Sequence, residues 1–343
     1  MTDQLDLFGS DQTPPAERSP IADRLREGAS ALAAHGIYLG TSSWKYPGWC
    51  GLLYSESRYT WRSKFSETRF NRDCLAEYGE TFKTVCVDGA YYQFPTEKYL
   101  SRLTQQVPAD FRFSFKVTDE ITLKSFPNIP RMGNRAGRPN PNFLNARLFE
   151  RMFLGPCAAF RKNVGLLMFE FSRFSQQDFS GSAEFLERLD RFLGALPKGW
   201  DYGTEIRNDE FMDQDYLAVL KQHGVTHVYN SWDAMPAIDE QMARVGNNLG
   251  DLHTGARLLL KPGRSYQRAV DKFSPYAKVQ EVYEIARKAG ALLIQHALKN
   301  KKRLYLYGNN RLEGCSPITL LAILDRLPAE LLKRLKSTGS TPD

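Results

Sequence analysis

Eight short β-rich runs, each followed by a stretch of helical period, constrain this chain more than any other feature. The runs are residues 37–41 (IYLGT), 81–87 (TFKTVCV), 112–117 (RFSFKV), 165–171 (GLLMFEF), 201–206 (DYGTEI), 226–230 (THVYN), 256–260 (ARLLL) and 303–307 (RLYLY). They are β-branched, aromatic or leucine-rich and are bounded by turn residues, so they read as strands. Segments such as SAEFLERLDRFLGAL, DQDYLAVLKQHG and VQEVYEIARKAGALLIQHALKN separate them at helical period. The last segment, PITLLAILDRL, has Pro317 at a helix start, where a missing N–H costs nothing. Eight βα units fit a closed parallel barrel of TIM type, (β/α)8. An open doubly wound sheet uses the same alternation. No strand-linked GxGxxG and no Walker loop occurs, so the nucleotide-binding versions of that sheet lose support.

The 343 residues suit one such barrel as a single domain, since α/β barrels run longer than average. Residues 1–34 read as a flexible tail. Its stretch GSDQTPPAERSP is rich in Pro, Ser and charge, and ADRLREGASALAAHG has the pattern of a short helix. Residues 35–330 form the barrel and 331–343 a C-terminal tail. Residues 120–142 (EITLKSFPNIPRMGNRAGRPNPN) make a connection too long for a turn, and in a barrel such a βα loop opens onto the catalytic face. Five scattered cysteines without a CxxC pair argue for reduced thiols in a cytosol rather than a disulfide framework. The start MTDQLDLFGS has no basic n-region, and no run is long enough to span a membrane, so a cytoplasmic protein is expected. The formal charge of +7 favours anionic partners, either small molecules or nucleic acid.

In a closed barrel, polar side chains at the C-terminal strand ends converge on one mouth. The candidates, strand by strand, are Trp44; Asp88 with Tyr91, Tyr92 and Gln93; Lys116; Glu170; Glu205 with Arg207; Asn230; Lys261 with Arg264; and Asn309 with Asn310. A charge inside an apolar strand is costly unless it is paired or faces a wet cleft. Glu205 and Arg207 alternate, so they share a strand face. Carboxylates and cations around one cavity suit general acid–base chemistry on a bound anion. Asp88, Glu170 and Glu205 are the candidate catalytic groups, and the remaining residues other than Asn230 the candidate substrate contacts. The alternative is a buried ion-pair network that only specifies packing. Metal chemistry is poorly supported, because no HxH or HExxH spacing exists. No cofactor is expected. His223 and His296 sit near helix C-termini, and His227 reads as a core histidine.

The run Gly40-Thr41-Ser42-Ser43-Trp44-Lys45-Tyr46-Pro47-Gly48-Trp49 resembles the opening motif of the YecE-like family, domain of unknown function 72. Phe82 to Asp88 with Tyr91-Tyr92-Gln93-Phe94-Pro95, then Leu154-Gly155-Pro156, Glu205-Ile206-Arg207 and Tyr307-Gly308-Asn309-Asn310 with Glu313-Gly314 follow in the family's order. The resemblance covers residues 37–327 and implies a TIM-type barrel of unknown activity. It also marks departures. Cys86, Asp88 and Glu170 stand where the family has glutamate, asparagine and glutamine. Asn208 replaces the histidine of the fifth-strand motif, and Lys261-Pro262-Gly263 replaces the seventh-strand Arg-x-His-Gly. Thr319 replaces a late asparagine. The missing histidines suggest a divergent branch.

Gln4-Leu5-Asp6-Leu7-Phe8 resembles the pentapeptide by which bacterial replication and repair proteins dock on the DNA polymerase sliding clamp. Leu5, Leu7 and Phe8 would fill an apolar groove and Gln4 would make a directed hydrogen bond. Three readings follow. The first is a metal-independent barrel enzyme for an anionic substrate. The second is a clamp-tethered DNA-maintenance factor using Arg131, Arg135 and Arg138 against phosphates. The third is a catalytically silent ligand-binding barrel.

Overall fold

In a computed structural model, which describes residues 19–246 and 252–338, all eight runs contain strands. They are β1 (Ile37–Thr41), β2 (Thr84–Val87), β3 (Arg112–Lys116), β4 (Val164–Phe171), β5 (Asp201–Ile206), β6 (Thr226–Ser231), β7 (His253–Leu258) and β8 (Arg303–Gly308). All pairings between them are parallel, and they close in the order β1-β8-β7-β6-β5-β4-β3-β2. Closure leaves the barrel without an unpaired edge. The fold is the TIM-type barrel that the alternation predicts.

Two strand boundaries move. The second run starts at Thr84 because Thr81 is the last residue of the helix Glu67–Thr81. The seventh lies earlier than expected: it begins at His253 and ends at Leu258. Leu259 and Leu260 extend the apolar run past the ladder, and both are buried. Hydrophobicity alone therefore overshoots the strand end.

The expected N-terminal tail is only partly within the described residues. Its second half is the helix Pro20–Ala33, capped by Ser19, whose Oγ accepts from the Ala22 N–H at 3.1 Å. Leu25, Ala29 and Leu32 form one buried stripe at helical spacing. That stripe packs the helix on β1 and on the helix Ser316–Leu324. Residues 329–338 likewise form a helix, with Leu335 buried. Packed structure thus extends beyond residues 35–330 on both sides.

Two apolar clusters show which way each strand residue points. Leu167, Phe169 and Phe171 of β4 join the large cluster between strands and helices. Leu166 and Met168 join Cys86, Val228, Tyr305 and Tyr307 in a second cluster inside the barrel. Strand alternation then puts Glu170 inside as well. The same parity turns Lys116, Glu205 and Arg257 inward, since Phe115, Ile206, Ala256 and Leu258 all belong to the outer cluster. Gly203 and Gly255 make room beneath this charged layer. A Cβ there would stand 2.6 Å from Val228 and 2.5 Å from Leu166.

The long connection after β3 is folded. Leu123, Phe126 and Met132 form a small core of their own. Asn140, itself buried, donates to the carbonyls of Glu120 and Leu123, both at 2.8 Å. Its Oδ1 accepts from the Asn142 N–H at 2.9 Å. The Pro, Gly and Asn residues that read as loop composition are here the means of folding one.

Candidate functional site

Side chains from β3, β4, β5 and β7 meet in one ion network at the C-terminal end of the barrel. Glu170 and Glu205 are ladder partners, which places two carboxylates side by side. Like charges at that spacing would be expelled without cations. Arg257 bridges them: its Nη1 lies 2.9 Å from Glu170 Oε2 and 2.6 Å from Glu205 Oε2. Arg207 Nη2 reaches Glu170 Oε2 at 2.8 Å and Glu205 Oε1 at 3.1 Å. Lys116 Nζ stands 2.7 Å from the same Glu170 oxygen. Asp88 closes the circle at 3.5 Å from Arg257 Nη2.

Access differs sharply within this network. The side chains of Glu170, Glu205 and Arg257 are 2%, 0% and 4% exposed, whereas Arg207 is at 11%, Lys116 at 13% and Asp88 at 45%. The first three make a sealed floor, Arg207 and Lys116 keep a small open area above it, and Asp88 is half-exposed. Lys116 Nζ sits 3.5 Å from the centre of the Tyr91 ring, and the Arg207 guanidinium 3.7 Å from the Trp232 ring. Both cations are thus held between an aromatic face and a carboxylate. Burial alone would raise the Glu170 carboxyl. Arg207, Lys116 and Arg257 outweigh it and hold the group well below the usual carboxylate range. Glu170 is thus packed as a carboxylate among three cations.

Several polar atoms at or just past the strand ends are buried without a protein partner. They include Arg257 Nε, Asn230 Oδ1, Ser42 Oγ and Asn310 Nδ2. Such atoms are costly inside a protein unless water or a ligand satisfies them.

The network takes in Asp88, Lys116, Glu170, Glu205, Arg207 and the Tyr91 ring from the sequence candidates. Others lie elsewhere. Lys261 and Arg264, expected at the end of the seventh strand, follow it and pair with Glu281 instead, Lys261 at 3.4 Å. The hydrogen bond from Lys272, with Arg264 and Lys261, brings the Glu281 carboxyl down to about 2 against the opposing effect of burial. Trp44 is buried in the outer core and lines an outside groove with Leu75, Tyr99 and Leu103. Tyr92 and Gln93 are exposed, and Arg131 stacks 4.7 Å from the Tyr92 ring. Asn309 Oδ1 caps the turn Asn310–Glu313 by accepting from Arg311 N–H at 2.9 Å. Asn310 Oδ1 accepts from the backbone N–H and the hydroxyl of Ser316. Gln4, Leu5, Leu7 and Phe8 fall outside the described residues.

Sequence reasoning missed Arg257, the cation at the centre. It stands between Ala256 and Leu258, as Glu170 stands between Phe169 and Phe171, so the same parity argument applied to the leucine run would have found it. The arginine of the seventh strand is Arg257. The segment Lys261-Pro262-Gly263 lies beyond the strand, which corrects its reading as that strand's motif. Asn208, where a family histidine was expected, is a buried strap: its Oδ1 accepts from Phe174 N–H at 2.7 Å and its Nδ2 donates to Phe174 O at 3.1 Å. His227 is a core residue lowered by burial to about 4, against a hydrogen bond with Gln241. Among the described residues no three His, Cys, Asp or Glu side chains group as metal ligands, and no helix is long and apolar enough to cross a membrane.

Fold and network together define a class: a TIM-type barrel with a buried ion network across its C-terminal mouth. Residues 38–341 match the family described as protein of unknown function DUF72, and the chain belongs to that family. A DUF72 family protein of Thermotoga maritima MSB8 is 18% identical, with 84% of this chain and 98% of that one covered and a TM-score of 0.53. A DUF72 family protein of Enterococcus faecalis V583 is 14% identical, with 84% and 94% covered and a TM-score of 0.53. At these identities the likeness is one of fold. No curated protein matches the chain.

Proposed function

We propose that this protein is an enzyme that takes an anionic substrate, phosphorylated or derived from nucleic acid, at the barrel mouth and without an obligatory metal. The observation that carries this reading is the split in access. The carboxylates Glu170 and Glu205 are sealed in, while Lys116 and Arg207 keep an open side above them. Buried anions hold those cations in a fixed orientation, so a substrate anion meets preorganised donors. Proton transfer falls to Asp88, the carboxylate of the network with solvent access. Glu170 and Glu205 act as positioning residues.

Thermal-shift titration with inorganic phosphate, phosphomonoesters and a single-stranded oligonucleotide tests this, followed by NMR search for product. Wild-type protein should be stabilised by at least one of them, and Arg207→Ala should give a smaller shift than wild type at every ligand concentration. Asp88→Asn should bind but not turn over. Binding without product across the panel would favour the catalytically silent barrel. No response to any anion would remove the reading.

A second reading, clamp tethering, rests on Gln4-Leu5-Asp6-Leu7-Phe8. Its DNA contacts need revision, because Arg131 pairs with buried Asp119 at 2.8 Å and Arg135 with Glu120 at 2.5 Å. Pull-down with the clamp should recover the intact protein and not a Leu7→Ala, Phe8→Ala variant. Equal recovery would remove it.

A further inference from the structure

The opposite end of the barrel carries a cleft that the mouth does not use. It lies at the N-terminal ends of β3, β4, β5 and β8 and encloses about 630 Å³, within the roughly 300–1,000 Å³ span of small-ligand sites. Arg112, Arg161, Lys162 and Arg303 line it against one carboxylate, Asp201. That carboxylate is already engaged. It accepts from Arg303 Nε at 2.9 Å and Nη2 at 2.7 Å, and from the Tyr305 hydroxyl at 2.9 Å. Arg161 donates to the Gly199 carbonyl at 2.6 Å and lies 4.7 Å over the Trp200 ring. Arg112 rests 6.0 Å from the Tyr38 ring, which is stacked on Tyr305 at 5.2 Å. Among the described residues neither Arg112 nor Lys162 has an ion-pair partner.

Such an arrangement is a poor device for stability alone. Three cations beyond the Arg303–Asp201 pair crowd one opening and repel one another, whereas a stabilising face would interleave signs. An anion entering the cleft relieves that repulsion. The rings of Phe160 and Trp200 add flat apolar surface beside the charge. Cationic donors next to aromatic faces suit a phosphate joined to a planar base.

We propose that this cleft is a second binding site, taking a nucleotide-type ligand, either free or as part of a single strand. Phosphate meets Arg112 and Lys162, and the base lies against Phe160 and Trp200. This assignment is independent of what the mouth does.

Calorimetric titration of the full chain with inorganic phosphate, AMP and a twelve-residue oligothymidylate tests it. AMP or the strand should bind at least tenfold more tightly than inorganic phosphate. Tight AMP binding identifies the free nucleotide, and binding of the strand alone identifies nucleic acid. Lys162→Glu, at an exposed position that leaves the fold intact, should weaken binding about tenfold, and Arg112→Glu with Lys162→Glu should abolish it. Arg207→Ala at the mouth should leave this binding unchanged. Retained affinity in the double variant, equal affinity for phosphate and AMP, or loss only in Arg207→Ala would each overturn the assignment. A mouth that fails its own tests would leave these results untouched.

Discussion

Two buried ion networks in this barrel use the same chemistry to different ends. Between the helix Glu284–Lys299 and the turn Asn310–Glu313, Glu313 is fully buried and meets one cation, Arg287. Nε and Nη2 of Arg287 donate at 2.9 and 2.8 Å, the Thr319 hydroxyl adds a bond at 2.7 Å, and the Tyr283 N–H adds another at 2.6 Å. One charge meets one charge, and the surrounding donors complete the acceptor. At the mouth, two buried carboxylates hold three cations, two of which keep a side open, and Arg257 Nε is left without a partner. The closed pair specifies packing. The oversupplied network has capacity left over, and that is what separates a candidate site from a structural pair.

The largest effects test this contrast directly. Arg287→Ala strands Glu313 without a cation and should cost about 3–5 kcal/mol, the usual penalty for breaking a buried pair. Arg257→Ala leaves Glu170 and Glu205 with Lys116 and Arg207, so it should cost only about half as much. Urea denaturation of both variants measures the ratio. A larger loss for Arg257→Ala would make the mouth the more structural of the two. Glu205→Gln belongs to the same series, because Glu205 is wholly buried against Arg257 and Arg207. It should lower stability as well as turnover, so its activity loss cannot by itself assign a chemical role.

A smaller effect appears in acid. Against the pull of burial, Arg207, Lys116 and Arg257 hold the Glu170 carboxyl below the usual carboxylate range. A carboxyl depressed on folding contributes stability that is fully present above the unfolded value and is lost as pH falls through the folded one. Wild-type stability should therefore decline as pH is taken below about 4.5, and Glu170→Gln should show a shallower decline over the same window. Denaturation midpoints measured at a series of pH values check the slopes. Equal slopes would mean that the three cations do not hold Glu170 ionised.

The sequence made the barrel legible because eight apolar runs and their period survive without knowledge of contacts. Its site was legible in part, and by one mechanism. Glu170 between two phenylalanines, and Glu205 two residues before Arg207, announce inward charges by parity alone. Arg257 obeys the same rule but hides in ARLLL, where the apolar run overshoots the ladder and draws the eye to Lys261. Lys261 and Arg264 then pair around Glu281, which lies 20 residues after Lys261 and was not a candidate. Trp44, Asn309 and Asn310 sit where the motif order put them, yet their side chains cap turns or pack outward. Side-chain direction after a strand ends depends on loop conformation, which no period in the sequence encodes. Helix Pro20–Ala33 was visible as a helix, but its docking on β1 was not.

The finest distinction concerns Arg207, where geometry and charge can be separated. Its guanidinium carbon lies over the Trp232 ring, 3.7 Å from its centre, while Nη2 reaches both Glu170 and Glu205. Lysine keeps the charge but has neither the plane that stacks nor the fork that spans two carboxylates. Arg207→Lys should thus lose about 1 kcal/mol of stability, the size of a partly desolvated cation–π contact. If Arg207 also presents its open side to a bound anion, the same variant should weaken anion binding by more than the roughly fivefold that 1 kcal/mol represents. Arg287→Lys provides the matched control in the closed pair, where stability should fall and anion binding should not move. Equal behaviour of the two lysine variants toward anions would erase the difference between the networks, and with it the case that the mouth is anything more than a second structural pair.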